Sequence, residues 1–207
     1  MIAIVDYGVG NLFSLKSSLA AIGAEVVVTR DAGLLRSAHK LILPGVGAFE
    51  DAARKLRECG LDTVIKEEAA RGKPILGICL GMQLLFEKSY EFGEHRGLGL
   101  IPGSVVPMAG FIPPELKIPH IGWNALRFKK SSPLFRFISE GDCVYYVHSY
   151  FAAQSDDSVI DDTEYGQWLT AAVQNKNVFG CQFHPEKSGS VGLNILKAFA
   201  ELEESPC

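Results

Sequence analysis

A chain of 207 residues, 47% hydrophobic and 21% charged, has the size and composition of one globular domain spanning residues 1–207. Its net charge of −4, with no basic run longer than Lys129-Lys130, argues against a nucleic-acid partner. Met1–Asp6 lacks the features of a secretory signal, and no stretch approaches the roughly 18 apolar residues of a membrane span. The five cysteines (59, 79, 143, 181 and 207) are odd in number and form no CxxC pair, so neither a disulfide framework nor a zinc site is expected. The expectation is a cytoplasmic protein.

Short β-rich runs alternate with helical patterns through the first half. Ile2–Val5 reads as a strand, and Leu12, Leu15, Leu19 and Ile22 recur at helical spacing before Gly23. Glu25–Thr29 is the next strand and Ala32–Ala38 a short helix. Lys40–Leu43 is a third strand, stopped by Pro44-Gly45. Helices follow over Phe49–Glu58 and Leu61–Arg71, then a strand over Pro74–Cys79 that runs directly into a helical pattern over Gly81–Lys88. This alternation predicts an α/β fold, with a mostly parallel sheet covered by helices on both faces.

The second half reads as strands with few helices. Val105-Val106, Trp123–Phe128, Val144–Phe151, Leu169–Gln174 and Phe179–Phe183 fit an antiparallel extension plus returning sheet strands. The acidic, polar stretch Ser155–Glu164 reads as an exposed loop. A last helix is expected over Gly192–Leu202.

Gly77-Ile78-Cys79-Leu80-Gly81 is the most informative segment. A strand that ends in Gly-X-Cys-X-Gly and opens a helix resembles a nucleophile elbow, with small residues allowing a sharp turn. The helix N-terminus favours a thiolate, and the N–H of Leu80 points where an oxyanion would form. The bland alternative is that both glycines only let helix and sheet pack closely, with Cys79 as filler; on this motif alone the two readings are balanced.

Val178–Phe183 ends in His184-Pro185-Glu186. Pro185 fixes its own φ and pushes His184 toward extended geometry, so His184 projects in a defined direction, and Glu186 is placed to reach back to the imidazole. Nucleophile, base and orienting carboxylate then follow triad logic. Cys79 and His184 both fall at predicted carboxyl ends of strands, where open α/β sheets hold ligands. His120 and His148 compete as bases from strand-like surroundings. Pro44-Gly45-Val46-Gly47 follows the neighbouring strand and supplies a candidate oxyanion loop in Gly45, Val46 and Gly47, although an ordinary strand-to-helix turn would look the same. Gly8-Val9-Gly10 is no dinucleotide loop, because Phe13 stands where a third glycine belongs.

Leu-Pro-Gly-Val-Gly, Gly-Ile-Cys-Leu-Gly-Met-Gln and His-Pro-Glu-Lys together resemble the class I (triad) glutamine amidotransferases, whose fold is a flavodoxin-like three-layer sandwich. Ile4–Leu12, Pro119–Asn124 and Val147–Tyr150 are similar to the branch that feeds ammonia to a (β/α)8-barrel cyclase subunit in histidine synthesis. The resemblance runs from residue 2 to about residue 200. It implies glutamine as substrate, the cyclase as heterodimer partner and no cofactor. It implies Cys79 as nucleophile, His184 as base and acid, and Glu186 as orienter. Gln83 and Glu91 match substrate-holding positions, Glu91 facing the α-ammonium group, and the backbone of His148-Ser149-Tyr150 matches the segment that receives the substrate carboxylate. Asn11, Trp123 and Lys187 match positions that face the cyclase. A sister glutaminase of vitamin B6 or purine synthesis shares the triad and differs in the partner-facing segments. A thiol hydrolase acting on esters or peptides, or a non-catalytic scaffold, are the readings from other classes.

Overall fold

The computed structural model describes residues 1–202; Cys207 lies outside the described residues. In chain order the first half runs β1 (Ile2–Val5), α1 (Leu12–Ala21), β2 (Val26–Thr29), α2 (Ala32–Ser37), β3 (Lys40–Leu43), α3 (Phe49–Glu58), α4 (Leu61–Ala70), β4 (Ile75–Ile78) and α5 (Leu80–Leu85). It continues through β5 (Phe86–Ser89), β6 (His95–Arg96), β7 (Ile101–Pro107), β8 (His120–Ala125), β9 (Arg127–Phe128), β10 (Cys143–His148) and β11 (Tyr150–Ala153). The chain closes with β12 (Val159–Glu164), β13 (Trp168–Asn175), β14 (Val178–Cys181) and α6 (Gly189–Ala200).

The main sheet has eight strands in the order β2-β1-β3-β4-β14-β13-β12-β9. Pairing is parallel from β2 to β14 and antiparallel from β14 to β9. The inner strands are buried on both faces, which is why they read as unbroken apolar runs. Ile2, Ile4, Ile42, Leu76 and Ile78 pack with Leu15 and Leu19 of α1 and with Ile195, Leu196 and Phe199 of α6. Ala3, Val5, Leu41, Leu43 and Ile75 face the other way, against α2, α3 and α4. This is the expected α/β sandwich. Two smaller sheets, β11-β7-β5-β6 and the antiparallel pair β10-β8, complete the strand structure.

Adjacency of β3, β4 and β14 sets the site. Their register aligns Leu43 with Gly77 and Gly77 with Gly180, and Cys79 N–H donates to the Cys181 carbonyl at 2.8 Å. The loops that leave these three strands therefore emerge side by side, although they are far apart in sequence.

Three expectations are corrected. The helix expected over Gly81–Lys88 ends at Leu85, and Phe86–Ser89 is strand β5. The carbonyls of Leu84, Leu85 and Phe86 at this junction accept from the N–H groups of Leu98, Leu100 and Gly99 at 2.8–3.0 Å. The Ser155–Glu164 stretch is not an exposed loop: Val159–Glu164 is strand β12, held between β13 and β9, with Asp161 and Thr163 fully buried. The last helix begins at Gly189 rather than Gly192, after a short 3-10 turn over Pro185–Lys187. In addition, the runs Trp123–Phe128 and Val144–Phe151 are each split into two strands, the second at Ser149.

Asp161 makes the second correction testable. Its Oδ1 accepts from Arg127 N–H at 2.9 Å, while Oδ2 has no hydrogen-bond partner. Burial pushes its carboxyl up to about 8, opposed by the Arg127 N–H and reinforced by the charges of Asp162 and Glu140. From the ordinary carboxylate range up to about pH 8 the folded chain thus retains a proton that the unfolded chain has released, and stability falls as pH rises through that window. Asp161→Asn keeps the acceptor and removes the titration. Its stability relative to the parent, read from urea midpoints, is expected to improve steadily from pH 5 to pH 8. Parallel midpoints across that range would remove the assignment.

Candidate active site

The nucleophile turn is strained at the cysteine itself. Cys79 sits at φ 53°, ψ −111°, a left-handed backbone that costs a non-glycine residue of order 1–3 kcal/mol. The flanking glycines serve close approach rather than backbone freedom. A Cβ on Gly81 would lie 1.8 Å from the Leu43 carbonyl oxygen, and one on Gly77 would lie 2.7 Å from the backbone of Met82. Gly45 completes this packing: its Cβ would meet Gly81 N and Tyr7 Oη at 2.8 Å. The first backbone bond of α5 is Gln83 N–H to Cys79 C=O, so the N–H of Leu80 is not used within the helix. With only six residues, α5 carries less dipole than the longer helix expected, and its local N–H groups matter more.

On the neighbouring strand, His184 follows β14 and turns into the same site. Its Nδ1 lies 2.8 Å from Glu186 Oε1. The backbone that carries it is fixed by His184 N–H to Tyr145 C=O at 2.9 Å and by Ser188 Oγ donating to the His184 carbonyl at 2.6 Å. Nε2 is buried and makes no hydrogen bond, which leaves it for the sulfur side. Burial alone would lower the imidazole, but the nearby Cys79 sulfur and the Glu186 carboxylate outweigh it and raise His184 to about 9. An imidazolium is favoured there at neutral pH.

These groups face a cavity of about 630 Å³. Val46 and Gly47 form one wall and Cys79, Leu80 and Gln83 the floor. Glu91 and Phe92 close another side, where the Phe92 ring meets that of Tyr150 edge-on with centres 6.3 Å apart, and Val147–Ser149 and His184 continue the lining. Such a hollow, mostly preformed and with few convergent polar groups, suits a small molecule.

The other predicted residues fall as follows. Gly45 lies beneath the wall rather than in it, and Tyr7 Oη donates to the adjacent Pro44 carbonyl at 2.7 Å. Gly47 has φ +102°, open to glycine. Glu91 accepts from Phe49 N–H at 2.5 Å, so it caps α3, whose own N-cap residue Ala48 has no side-chain acceptor. Gln83 is buried, and its Nε2 donates both to Tyr150 C=O (3.2 Å) and to Gln182 Oε1 (3.1 Å). His148 turns its ring inward, with Nδ1 on Tyr150 C=O and Nε2 against His120 Nδ1, so its backbone is what the cavity meets. Burial lowers it to about 4, with the charges of His120 and His184 adding to the effect.

Asn11, Trp123 and Lys187 lie outside the cavity. Asn11 Oδ1 accepts from Ser14 N–H and caps α1. Trp123, 54% exposed, and Lys187 both approach the ring of Tyr145: the Trp123 and Tyr145 ring centres lie 5.9 Å apart, and Lys187 Nζ lies 5.7 Å from the Tyr145 ring centre. Sequence reasoning missed Tyr7, Tyr145 and Gln182. Tyr7 stood inside the Asp6-Tyr7-Gly8 motif but was assigned no role. Among the cysteines, Cys59 and Cys143 are exposed, while Cys181 is fully buried and its thiol is pushed well above the usual range by burial. No group of His, Cys, Asp and Glu able to hold a metal occurs among the described residues, and no described helix is long and apolar enough to cross a membrane.

Comparison with known proteins bears on this geometry. Residues 3–201 match the family model described as glutamine amidotransferase class-I. The chain is 51% identical over 201 residues to a protein of Lactococcus lactis named imidazole glycerol phosphate synthase subunit HisH, covering 97% of this chain and 98% of that one. It is 50% identical over 203 residues to the protein of the same name from Aquifex aeolicus, covering 97% and 96%. Among solved structures, a glutamine amidotransferase superposes with TM-score 0.75 at 19% identity over 96% of this chain and 99% of that one. The PurLQS structure from Thermotoga maritima gives 0.73 at 23%, over 96% of each chain. At those identities the superpositions speak for the fold alone.

The high proton affinity of His184 has a direct check. In the nuclear magnetic resonance titration of its ring, Cys79→Ala is expected to move the midpoint down from about 9, and Glu186→Gln is expected to move it the same way. A midpoint left in place by the cysteine substitution would dissolve the sulfur–imidazole pairing.

Proposed function

Because the chain belongs to the class I glutamine amidotransferase family, we propose that its single domain hydrolyses the side-chain amide of glutamine at Cys79 and delivers the ammonia to a cyclase subunit. As in the relatives named HisH, the assembly would be an imidazole glycerol phosphate synthase. Its partner would be the (β/α)8-barrel subunit HisF, which uses the ammonia to make imidazole glycerol phosphate and an aminoimidazole carboxamide ribotide in histidine biosynthesis. The observation that carries the reading is the His184–Glu186 contact of 2.8 Å beside a strained cysteine in one shared cavity.

Glutamine binds with its amide carbon over Cys79 Sγ. Its carboxylate meets the backbone of His148-Ser149-Tyr150 and its α-ammonium meets Glu91. With both N–H groups of Gln83 already engaged, only Gln83 Oε1 remains for the substrate, as an acceptor. The thiolate attacks the carbon, and the oxyanion takes hydrogen bonds from Leu80 N–H and the Gly45–Gly47 loop. The His184 imidazolium gives its proton to the departing nitrogen, which leaves as ammonia. The neutral imidazole then takes a proton from water as it attacks the thioester, and glutamate and the thiolate are released. Each well-aligned oxyanion donor contributes about 2.7–4 kcal/mol, so the orientation of one loop peptide controls the rate.

The loop is held at both ends, by Tyr7 at Pro44 and by Glu91 at Phe49. Asn11, Trp123 and Lys187, with Tyr145, are the candidate partner face. Docking there can act on the site because the Tyr145 carbonyl holds the backbone N–H of His184.

In the complex with the cyclase, Cys79→Ala is expected to abolish synthesis from glutamine and to leave synthesis from added ammonium salts intact. Loss of both would give Cys79 a structural duty instead. Glutamate release by the subunit alone is expected to be far slower than by the complex loaded with its nucleotide substrate; equal rates would refute control through the oxyanion loop.

A further inference from the structure

The sulfur of Cys79 has a neighbour outside the triad. Gln182, two residues before His184, is fully buried, and its Nε2 lies 3.7 Å from Cys79 Sγ, within range for an N–H donor to sulfur. An amide beside sulfur is informative only if its nitrogen, and not its oxygen, faces the sulfur. Here the surroundings decide. The Tyr150 carbonyl can only accept, so the Gln83 atom 3.2 Å from it must be the donor Nε2. The second hydrogen of that nitrogen points to Gln182 at 3.1 Å and requires an acceptor there, which fixes Oε1 toward Gln83. The Gln182 N–H group is thereby turned to the sulfur. Reversing Gln182 would set donor against donor on one side and carbonyl oxygen against sulfur on the other.

The Tyr150 carbonyl is a firm anchor because His148 Nδ1 also binds it at 2.9 Å. The relay runs from a backbone carbonyl through two buried amides to the nucleophile. A buried N–H donor to an anionic acceptor is worth more than one in water.

We propose that Gln182 is a further catalytic residue, which holds Cys79 Sγ as the thiolate through its amide N–H, with Gln83 as the positioning residue that orients it. The inference rests on the glutaminase reading for its place in turnover. In acylation it keeps the sulfur anionic and aimed; in hydrolysis of the thioester the same N–H assists the sulfur as leaving group. The second role means that loss of the donor slows both half-reactions.

Alkylation of Cys79 by iodoacetamide, followed from pH 5 to pH 10 on the Cys79 peptide by mass spectrometry, tests this on the full chain. The peptide readout keeps exposed Cys59 and Cys143 from interfering. Gln182→Met removes the donor at similar volume. Gln182→Glu keeps an acceptor for Gln83 but sets oxygen against sulfur. Both are expected to move the half-maximal alkylation to higher pH, the glutamate variant further. Both are also expected to slow alkylation at pH 7 by about 10- to 100-fold, the range for a hydrogen bond to a charged group. Gln83→Met, which frees Gln182 to rotate, is expected to give a smaller shift in the same direction. In the cyclase complex, Gln182→Met is expected to lower kcat for glutamine more than it raises KM. A uniform slowing with no shift along the pH axis, or no change at all in the Gln182 and Gln83 variants, would overturn the proposal. The parent chain separates the two readings: if its Cys79 alkylates readily but the complex releases no glutamate from glutamine, the glutaminase reading fails while the sulfur–amide result stands.

Discussion

A cysteine held at φ 53°, ψ −111° is the constraint on which the site depends. That backbone is unfavourable locally, so its surroundings must impose it. Here they do so by contact: α5 is pressed so close to the ends of β3 and β4 that only glycine fits at 45, 77 and 81. The hydrogen bond from Cys79 N–H to Cys181 C=O ties the turn to β14 at the same level. A side chain at any of the three glycines would push α5 away, relax the turn and move the sulfur from the imidazole. Backbone strain at the nucleophile and close packing beneath it are thus one feature.

From that turn outward, the cavity walls are linked by polar contacts rather than by apolar packing alone. The loop after β3 is held by Tyr7 at its start and by Glu91 at its end. Glu91 belongs to the segment after β5, which pairs with β7 and β6, and at the α5–β5 junction the carbonyls of residues 84–86 accept from residues 98–100. Shortening the nucleophile helix therefore has a consequence for the site: it delivers a carboxylate to the far wall. An α5 continued through Lys88 would have carried Glu91 elsewhere.

How much of this was legible in the sequence follows from the range of each interaction. Gly77-X-Cys79-X-Gly81 and His184-Pro185-Glu186 are local patterns whose spacing itself encodes geometry. The alternation of short apolar runs with helical periods likewise revealed the parallel sheet that brings them together. Tyr7 meets Pro44 across 37 residues and Gln182 meets Cys79 across 103, and no spacing rule marks either pair. Gln182 left only a weak trace, one amide in the otherwise apolar run from Phe179 to Phe183. Asp161 and Asp162 were misread because acidic composition suggests solvent, whereas pairing with β13 and β9 draws them into the sheet. Phe86–Ser89 went wrong for the same reason: helical periodicity continued, but pairing with β7 prevailed.

Two histidines share the cavity wall, and their opposite proton affinities divide the labour. His184 is raised to about 9 because a carboxylate and a sulfur flank an otherwise desolvated ring. His148 is lowered to about 4 because its ring is buried among neutral acceptors and another imidazole, with His184 itself adding repulsion. Environments that push like groups apart in this way divide acid–base roles between them. At neutral pH only His184 carries a transferable proton beside the sulfur. His148 stays neutral, and its Nδ1–H is committed to the Tyr150 carbonyl that anchors the two glutamines. A protonated His148 would place a second cation beside the His184 imidazolium. Keeping it neutral lets one imidazole brace the wall while the other works.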